Sequence, residues 1–335
     1  MKNEESMVIN KGQSEFEALV DSINFQISSG GLKNGEIRFP KSMFEDLGKR
    51  VVVIPSRLFY SFSSAVDGYH KQRERSDLSA ESFLISDNLN SIVDTQRFSS
   101  VHLIDIGGGD GVRGLRIAQS LRAQDLAVRY TNYDGSTIML HKSKTLFEKN
   151  EIAWNGVKGR FEDFKLNPIE ETENELKLFL FLGNNYGNYA SEDVISMFKH
   201  EQMRSEDALV IGIDTPCQET LDEFYLREIE KYHDDKMRMG LFSQLGFKRE
   251  NLIDIIQVNR EREQVEVYSL VSKKSSLSEL KIEDNDLFLA NIARRPSLDN
   301  LKKELSEVFT VVILKNANSV EKQLTLAVCK LKGTQ

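Results

Sequence analysis

One stretch constrains this chain more than any other: Val101 to Leu121, reading VHLIDIGGGDGVRGLRIAQSL. It begins as an apolar run rich in β-branched residues, with a single acid, Asp105. Gly107, Gly108, Gly109 and Gly111 then crowd into five positions. Beyond them Val112, Leu115, Ile117, Ala118 and Leu121 recur at helical spacing. The pattern predicts a strand, a tight glycine turn and a helix. Glycine lets a backbone turn sharply and lets a ligand come against its amides. The helix start beyond the turn adds free N–H groups and a positive dipole end. A nucleotide-type cofactor site is the expectation.

The segments after this stretch keep alternating. Ala127 to Tyr133 reads as a second strand ending at Asp134, and Thr137 to Lys149 as a second helix. Val157 to Phe164 reads as a weaker third strand that ends near Glu162 and Asp163. Leu176 to Leu182 is a continuous apolar run stopped by Gly183, as expected of a strand covered on both faces. Ser191 to His200 is helical, and Ala208 to Ile213 is a further buried strand ending at Asp214. Strands alternating with helices imply an α/β fold with a parallel, Rossmann-like sheet.

From Thr215 the texture changes. Glu219 to Lys231 reads as a charged helix, and Ile253 to Val271 alternates apolar and charged residues like half-exposed antiparallel strands. Leu287 to Ile292 is a further strand candidate. Ser297 suits the N-cap of a helix from Leu298 to Val308. Thr310 to Leu314 and Gln323 to Cys329 then close the chain about Asn316 to Asn318. Ahead of the glycine stretch, Ser14 to Ile27 and Ala80 to Val93 read as helices. The expected organisation is a polar tail over 1–12 and a helical part of a substrate-binding region over 13–95. A cofactor-binding domain takes 96–214 and 297–335, with a smaller α+β substrate-binding domain inserted at 215–296.

Composition narrows the classes. A formal charge of −8 over 335 residues argues against a nucleic-acid backbone as main partner. The two cysteines, Cys217 and Cys329, lie far apart and suggest neither a disulfide framework nor a zinc site. The polar N-terminus lacks the apolar core of a signal peptide, and no window approaches the roughly 18 apolar residues of a membrane span. A cytoplasmic protein acting on a small molecule is expected, with no metal.

Two registers compete for the glycines. Gly109 to Gly114 matches GxGxxG, with Asp134 twenty residues beyond, which is a dinucleotide fingerprint. That register leaves Gly107 and Gly108 at the edge of a strand, where they weaken it. In the other register Asp105 ends the strand and Gly107 to Gly111 form the turn. So read, the stretch resembles motif I of class I S-adenosylmethionine-dependent methyltransferases, an acid followed by GxGxG. The late helix and the two final strands are similar to that family's sheet, whose last strand is antiparallel. The resemblance implies S-adenosyl-L-methionine as cofactor. It gives Asp134 the ribose hydroxyls, the glycine amides the methionine part, and Phe161 and Glu162 the adenine.

A narrower resemblance comes from Phe181 to Tyr189, FLGNNYGNY. It is similar to the FLGSxxGN segment of the histidine-specific methyltransferases, whose best-known members trimethylate the histidine α-amine in ergothioneine biosynthesis. ALVIGID at 208–214 and NREREQVEVYSLVS at 259–272 follow in the family's order. The resemblance spans roughly 100 to 335. It implies that Gly183 and Asn184 border the donor. It also implies that Asn188 binds the amino and carboxylate groups of the substrate. A helix tyrosine, Tyr225 or Tyr232, holds the carboxylate, and Tyr69 lines the pocket. One departure stands out. Where the family has an E-I-S segment holding imidazole, this chain reads Asn291-Ile292-Ala293. A site that loses two hydrogen bonds to a substrate loses its discrimination for it. The expected activity is therefore N-methylation of an amino acid or related small amine, with histidine itself doubtful. Arg294 and Arg295 follow at once, either favouring an acidic substrate group or forming a solvated pair. An NAD(P)-dependent oxidoreductase and a non-catalytic S-adenosylmethionine-binding protein are the alternatives.

Overall fold

The structure is a computed structural model. It describes residues 51–53, 79–159, 161, 164–165, 174–199, 203–216, 236–277, 279–284, 286–319 and 322–332. In chain order the strands and helices are β1 (Val51–Val53), α1 (Ser79–Asp87), α2 (Leu89–Ile92), β2 (Ser100–Ile106), α3 (Val112–Arg122), β3 (Ala127–Asp134), α4 (Thr137–Lys149) and β4 (Ala153–Lys158). There follow β5 (Glu175–Phe181), α5 (Ser191–Lys199), β6 (Ala208–Asp214), α6 (Lys236–Gln244), β7 (Leu252–Asn259), β8 (Gln264–Val271), β9 (Leu287–Arg294), α7 (Leu298–Leu305), β10 (Phe309–Ser319) and β11 (Lys322–Leu331). Among the described residues no helix is long and apolar enough to cross a membrane.

Two compact units result. The larger holds the described residues from 79 to 216, 260–264 and those from 293 to 332. Its seven strands run in the order β10-β11-β6-β5-β2-β3-β4. β2 pairs in parallel with β3 and β5, β3 with β4, and β5 with β6, while β11 is antiparallel to β6 and to β10. This is the mixed α/β sheet that the alternating pattern and the resemblance predict. Successive strand residues face opposite ways, and both faces are covered. Leu176, Leu178 and Leu180 of β5 point into one core with Ile117, Ala118 and Leu121 of α3 and Phe147 of α4. Phe179 and Phe181 point into the other, with Phe198 of α5 and Leu301 and Leu305 of α7. That two-sided burial is why β5 and β6 read as unbroken apolar runs.

Several boundaries differ from the sequence reading. The third strand is Ala153–Lys158, not Val157 to Phe164. It is an edge strand, half exposed along its length, so it carries no apolar signature. Phe161 and Phe164, which fell inside the expected range, are core residues beyond the strand's end. β10 and β11 stay paired through Asn316 to Asn318 as far as Ser319 and Lys322. Residues 79–93, read as belonging with the substrate-binding region, pack on the sheet instead, because Ile85, Leu89, Ile92 and Val93 fill the same core as Val101 and Leu103. The helices expected over 14–27 and 219–231 lie outside the described residues.

The smaller unit comprises 51–53, 236–259 and 265–292 among the described residues. Its sheet runs β1-β9-β8-β7, with β1 parallel to β9. Leu241 and Phe242 of α6, with Leu245 and Phe247 just beyond it, share one core with Phe288 of β9.

Candidate functional site

β2 stops at Ile106 and the chain turns at once. Gly107, Gly109 and Gly111 take φ of 71°, 58° and 78°, a region that penalises any residue with a Cβ. Gly107 N–H donates to the Tyr133 carbonyl at 2.8 Å, tying the turn to β3. A Cβ on Gly108 would meet the Asp105 carboxylate and Asn132 Oδ1, at 2.7 and 2.8 Å. A Cβ on Gly109 would meet nothing within 4 Å. The space beside Gly109 where a Cβ would stand is therefore open, while its N–H and carbonyl are bonded to Asp134 and Asn132, and α3 begins directly beyond the turn. The turn is Gly107 to Gly111, the second of the two registers. Gly114 sits inside α3, where a Cβ would meet the Tyr130 ring at 2.5 Å, and serves helix–strand packing.

Two acids flank the turn. Asp105 is buried and accepts a hydrogen bond from Tyr130 Oη at 2.9 Å. Burial pushes its carboxyl up to about 6, against the pull of the Arg113 guanidinium. Asp134, at the end of β3, accepts from Gly109 N–H at 3.0 Å and Ser136 N–H at 2.7 Å. Burial raises it to about 6 as well, and those two backbone donors oppose the rise. Between them Asn132 donates through Nδ2 to the Gly109 carbonyl at 2.9 Å. Its buried Oδ1 has no hydrogen-bond partner among the described residues, an acceptor left over at the turn.

The segment after β5 forms the opposite wall. Gly183 has φ 72° and Asn184 φ 66°, and a 3-10 turn covers Asn185–Asn188. Each of its side chains has a distinct task. Asn184 bridges to the end of β6, donating to Asp214 Oδ2 at 2.9 Å and accepting from Asp214 N–H at 2.6 Å. Asn185 reaches the glycine turn, donating to the carbonyls of Ile106 and Gly107 at 3.2 and 3.3 Å. Tyr186 is fully buried and donates to Glu304 Oε2 at 2.9 Å. Asn188 is half-buried, with no hydrogen-bond partner for its amide among the described residues. Below the segment lies Glu81 of α1, 3% exposed, paired with Arg113 at 2.6 Å. Both of its oxygens accept from Gly183 N–H, at 2.9 and 3.1 Å.

The glycine turn, the acid at the end of the next strand and the loop bearing the Asn188 amide thus follow three neighbouring strands, β2, β3 and β5. A family model described as "Histidine-specific methyltransferase, SAM-dependent" matches residues 41–284, well over half of the chain. The chain belongs to this family. It is an S-adenosylmethionine-dependent methyltransferase. A comparison with curated proteins gives no match to the sequence. Solved structures it is similar to include an S-adenosylmethionine-dependent methyltransferase from Clostridium acetobutylicum, at 14% identity over 78% of this chain and 94% of that one, with a TM-score of 0.45. Another is the magnesium protoporphyrin IX methyltransferase of Synechocystis with bound SAH, at 10% identity over 82% and 98%, with a TM-score of 0.45.

The methyltransferase brings together many of the residues singled out in its sequence. Asp105, Gly107, Gly108, Gly109, Gly111 and Asp134 line one turn. Gly183, Asn184 and Asn188 follow β5, whose neighbour is β2. Two of the residues are engaged within the protein itself. Phe161 is not an open platform, because it is buried and stacked on Tyr189 and Phe181, with ring centroids 3.9 and 5.2 Å away. The Asn184 amide is committed to Asp214. Arg294 and Arg295 are not a solvated pair either: Arg294 is bound to Glu304 and Arg295 is 6% exposed. Glu162, Tyr69, Tyr225 and Tyr232 lie outside the described residues, and Asn291 is placed by its backbone alone, on β9. Sequence reasoning missed Glu81, Arg113, Asn132 and Asn185. Of these only Asn185 carried a local signal, its place in the FLGNNYGN segment.

Proposed function

We propose that this methyltransferase methylates the nitrogen of an amino acid or related small amine other than histidine. The observation that carries the reading is the Gly187-Asn188 pair, whose amide has no hydrogen-bond partner among the described residues and which follows Asn185, the residue bonded to the glycine turn. S-adenosylmethionine supplies a methyl carbon on a sulfonium, which an amine attacks in line. The residues present suit that donor. A carboxylate offers about four acceptor positions. Asp134 uses two on backbone N–H groups, which leaves capacity for a vicinal diol. The Cβ side of Gly109 is open, and the Asn132 Oδ1 has no partner among the described residues. Asp105 sits under Gly108, where its charge favours a cationic group above the turn.

On the acceptor side the work is positioning. An amine reacts only when neutral, and a partly buried setting favours the neutral form. The Asn188 carbonyl oxygen can accept from the amine and its NH2 can donate to the carboxylate of the same substrate. In this reading Tyr225 or Tyr232 holds the carboxylate and Tyr69 lines the pocket, while the smaller unit carries substrate-binding side chains. Against histidine stands the Asn291 to Ala293 segment. Ala293 is 2% exposed on β9, so no hydroxyl stands there.

The test is a panel of amino acids and small amines, histidine included, incubated with S-adenosylmethionine and read by mass spectrometry. Methylated product from an amine other than histidine supports the reading. Turnover of histidine alone overturns it. Asn188→Ala should cut turnover by about 10²-fold, the penalty of a lost positioning contact.

A pH effect follows from Asp134. Its carboxyl is raised to about 6, so below that pH it is protonated and loses acceptor positions. S-adenosylhomocysteine affinity should be constant from pH 8 to 7 and weaken as pH falls through about 6. Titrations in Asp134→Asn should show a smaller step, the remainder coming from Asp105, whose carboxyl is raised to about 6 as well. A wild-type affinity flat down to pH 5 would contradict the assignment.

A further inference from the structure

We propose that Tyr186, Glu304 and Arg294 form a partly buried clamp that sets the aim of the Asn188 amide, positioning the acceptor amine without touching it. The proposal rests on the reading of Asn188 given above.

The turn Asn185–Asn188 is anchored from three sides. Asn185 ties it to the glycine turn through the Ile106 and Gly107 carbonyls. Tyr186 ties it to α7: its ring is fully buried and its hydroxyl donates to Glu304 Oε2 at 2.9 Å. Gly187 rests on the end of β9, where a Cβ would lie 2.2 Å from the Arg294 carbonyl oxygen and 2.7 Å from Arg295 Nη1. The second and third anchors meet in one residue. Arg294 grips Glu304 with both ends of its guanidinium, Nη1 to Oε2 at 3.0 Å and Nη2 to Oε1. Its carbonyl accepts from Arg295 Nη1 at 2.7 Å. A single carboxylate therefore locks the ring before Gly187 to the strand end under Gly187. Next along the chain is Asn188, whose amide is left without a partner among the described residues. A polar side chain with no local partner takes its direction from the backbone that carries it, and here the clamp holds that backbone.

Bidentate guanidinium–carboxylate pairs are directional as well as strong. Burial and the Glu304 carboxylate push the Tyr186 hydroxyl far above the usual tyrosine range. The clamp thus stays protonated through the working pH and acts by geometry.

Tyr186→Phe keeps the ring packing and removes only the hydroxyl. Two measurements separate a positioning role from a merely structural one. The first uses S-adenosylmethionine with an equimolar mixture of the twenty protein amino acids, scored by S-adenosylhomocysteine release. The mixture concentration giving half-maximal rate should rise about tenfold in Tyr186→Phe, with calorimetric affinity for S-adenosylhomocysteine within twofold of wild type. The second is hydrogen exchange with S-adenosylhomocysteine bound, in which the 184–190 backbone should exchange faster while 107–111 is unchanged. Wild-type kinetics together with wild-type exchange at 184–190 would overturn the clamp, as would an equal loss of S-adenosylhomocysteine affinity. Failure of the underlying reading looks different: Asn188→Ala would then turn over the mixture as wild type does, or wild type would release no S-adenosylhomocysteine above background. In the latter case a wild-type exchange pattern in Tyr186→Phe still refutes the clamp.

Discussion

Replacing Glu81 with alanine is expected to destabilise the sheet unit by about 3–5 kcal/mol, the range seen when one partner of a buried ion pair is removed. Glu81 is 3% exposed and Arg113 11%, so solvent replaces little of the lost pairing. The loss is compounded because Glu81 also accepts from Gly183 N–H, a donor then left unsatisfied. Gly212 is the reason a carboxylate can lie there at all: a Cβ on it would come within 2.1 Å of Glu81 Oε1. The readout is built in. The chain has one tryptophan, Trp154 of β4, whose indole N–H donates to Ser143 Oγ at 3.1 Å. Its fluorescence reports unfolding of the sheet unit apart from the smaller one. The midpoint in denaturant should fall sharply for Glu81→Ala and for Arg113→Ala. The pair replaced together by leucines should recover part of the loss, since apolar side chains of similar volume leave no buried charge. A loss below about 1 kcal/mol in Glu81→Ala would mean that the pair is solvated.

The second large effect is on rate. Gly187→Ala should nearly abolish methyl transfer and leave donor binding intact. The added methyl would stand 2.2 Å from the backbone oxygen of Arg294. That atom belongs to the end of a paired strand and cannot rotate away as a side chain could. Relief requires the turn to move by about 1 Å, and overpacking of this kind costs roughly 1–3 kcal/mol in stability. A displacement of about 1 Å at a positioning residue can lower a rate by about 10²-fold, and Asn188 is the next residue. S-adenosylhomocysteine affinity, measured by calorimetry, should stay within about twofold. Equal damage to affinity and rate would show that the turn at 185–188 supports the donor as much as the acceptor.

Much of this was legible in the sequence for a physical reason. β2, β5 and β6 are buried on both faces, so apolar residues dominate both sides of them. The positive φ of Gly107, Gly109 and Gly111 admits little but glycine. Ser297 caps α7 as its residue type predicts, accepting from Asn300 N–H at 3.4 Å. What was not legible depends on distance along the chain or on exposure. β4 lies at the sheet edge and needs no apolar pattern. The bond from Gly183 to Glu81 spans 102 residues, and no local spacing announces it. Asn184, Asn185 and Asn188 are one residue type within five positions. Only the geometry separates a bridge to β6, a tie to the glycine turn and a free amide. Phe161 misled because an aromatic after a strand end looks the same in sequence whether it stacks on a ligand or on Tyr189.

The central claim divides the site into a donor side at Asp134 and an acceptor side at Asn188. Calorimetric titration of S-adenosylhomocysteine into wild type, Asp134→Ala and Asn188→Ala tests it most directly. Wild type should bind. Asp134→Ala should lose about 3 kcal/mol, roughly 100-fold, from two hydrogen bonds to a charged group. Asn188→Ala should bind as wild type does while turning over amine about 10²-fold more slowly. Undiminished affinity in Asp134→Ala, or a matching loss in Asn188→Ala, would contradict the division.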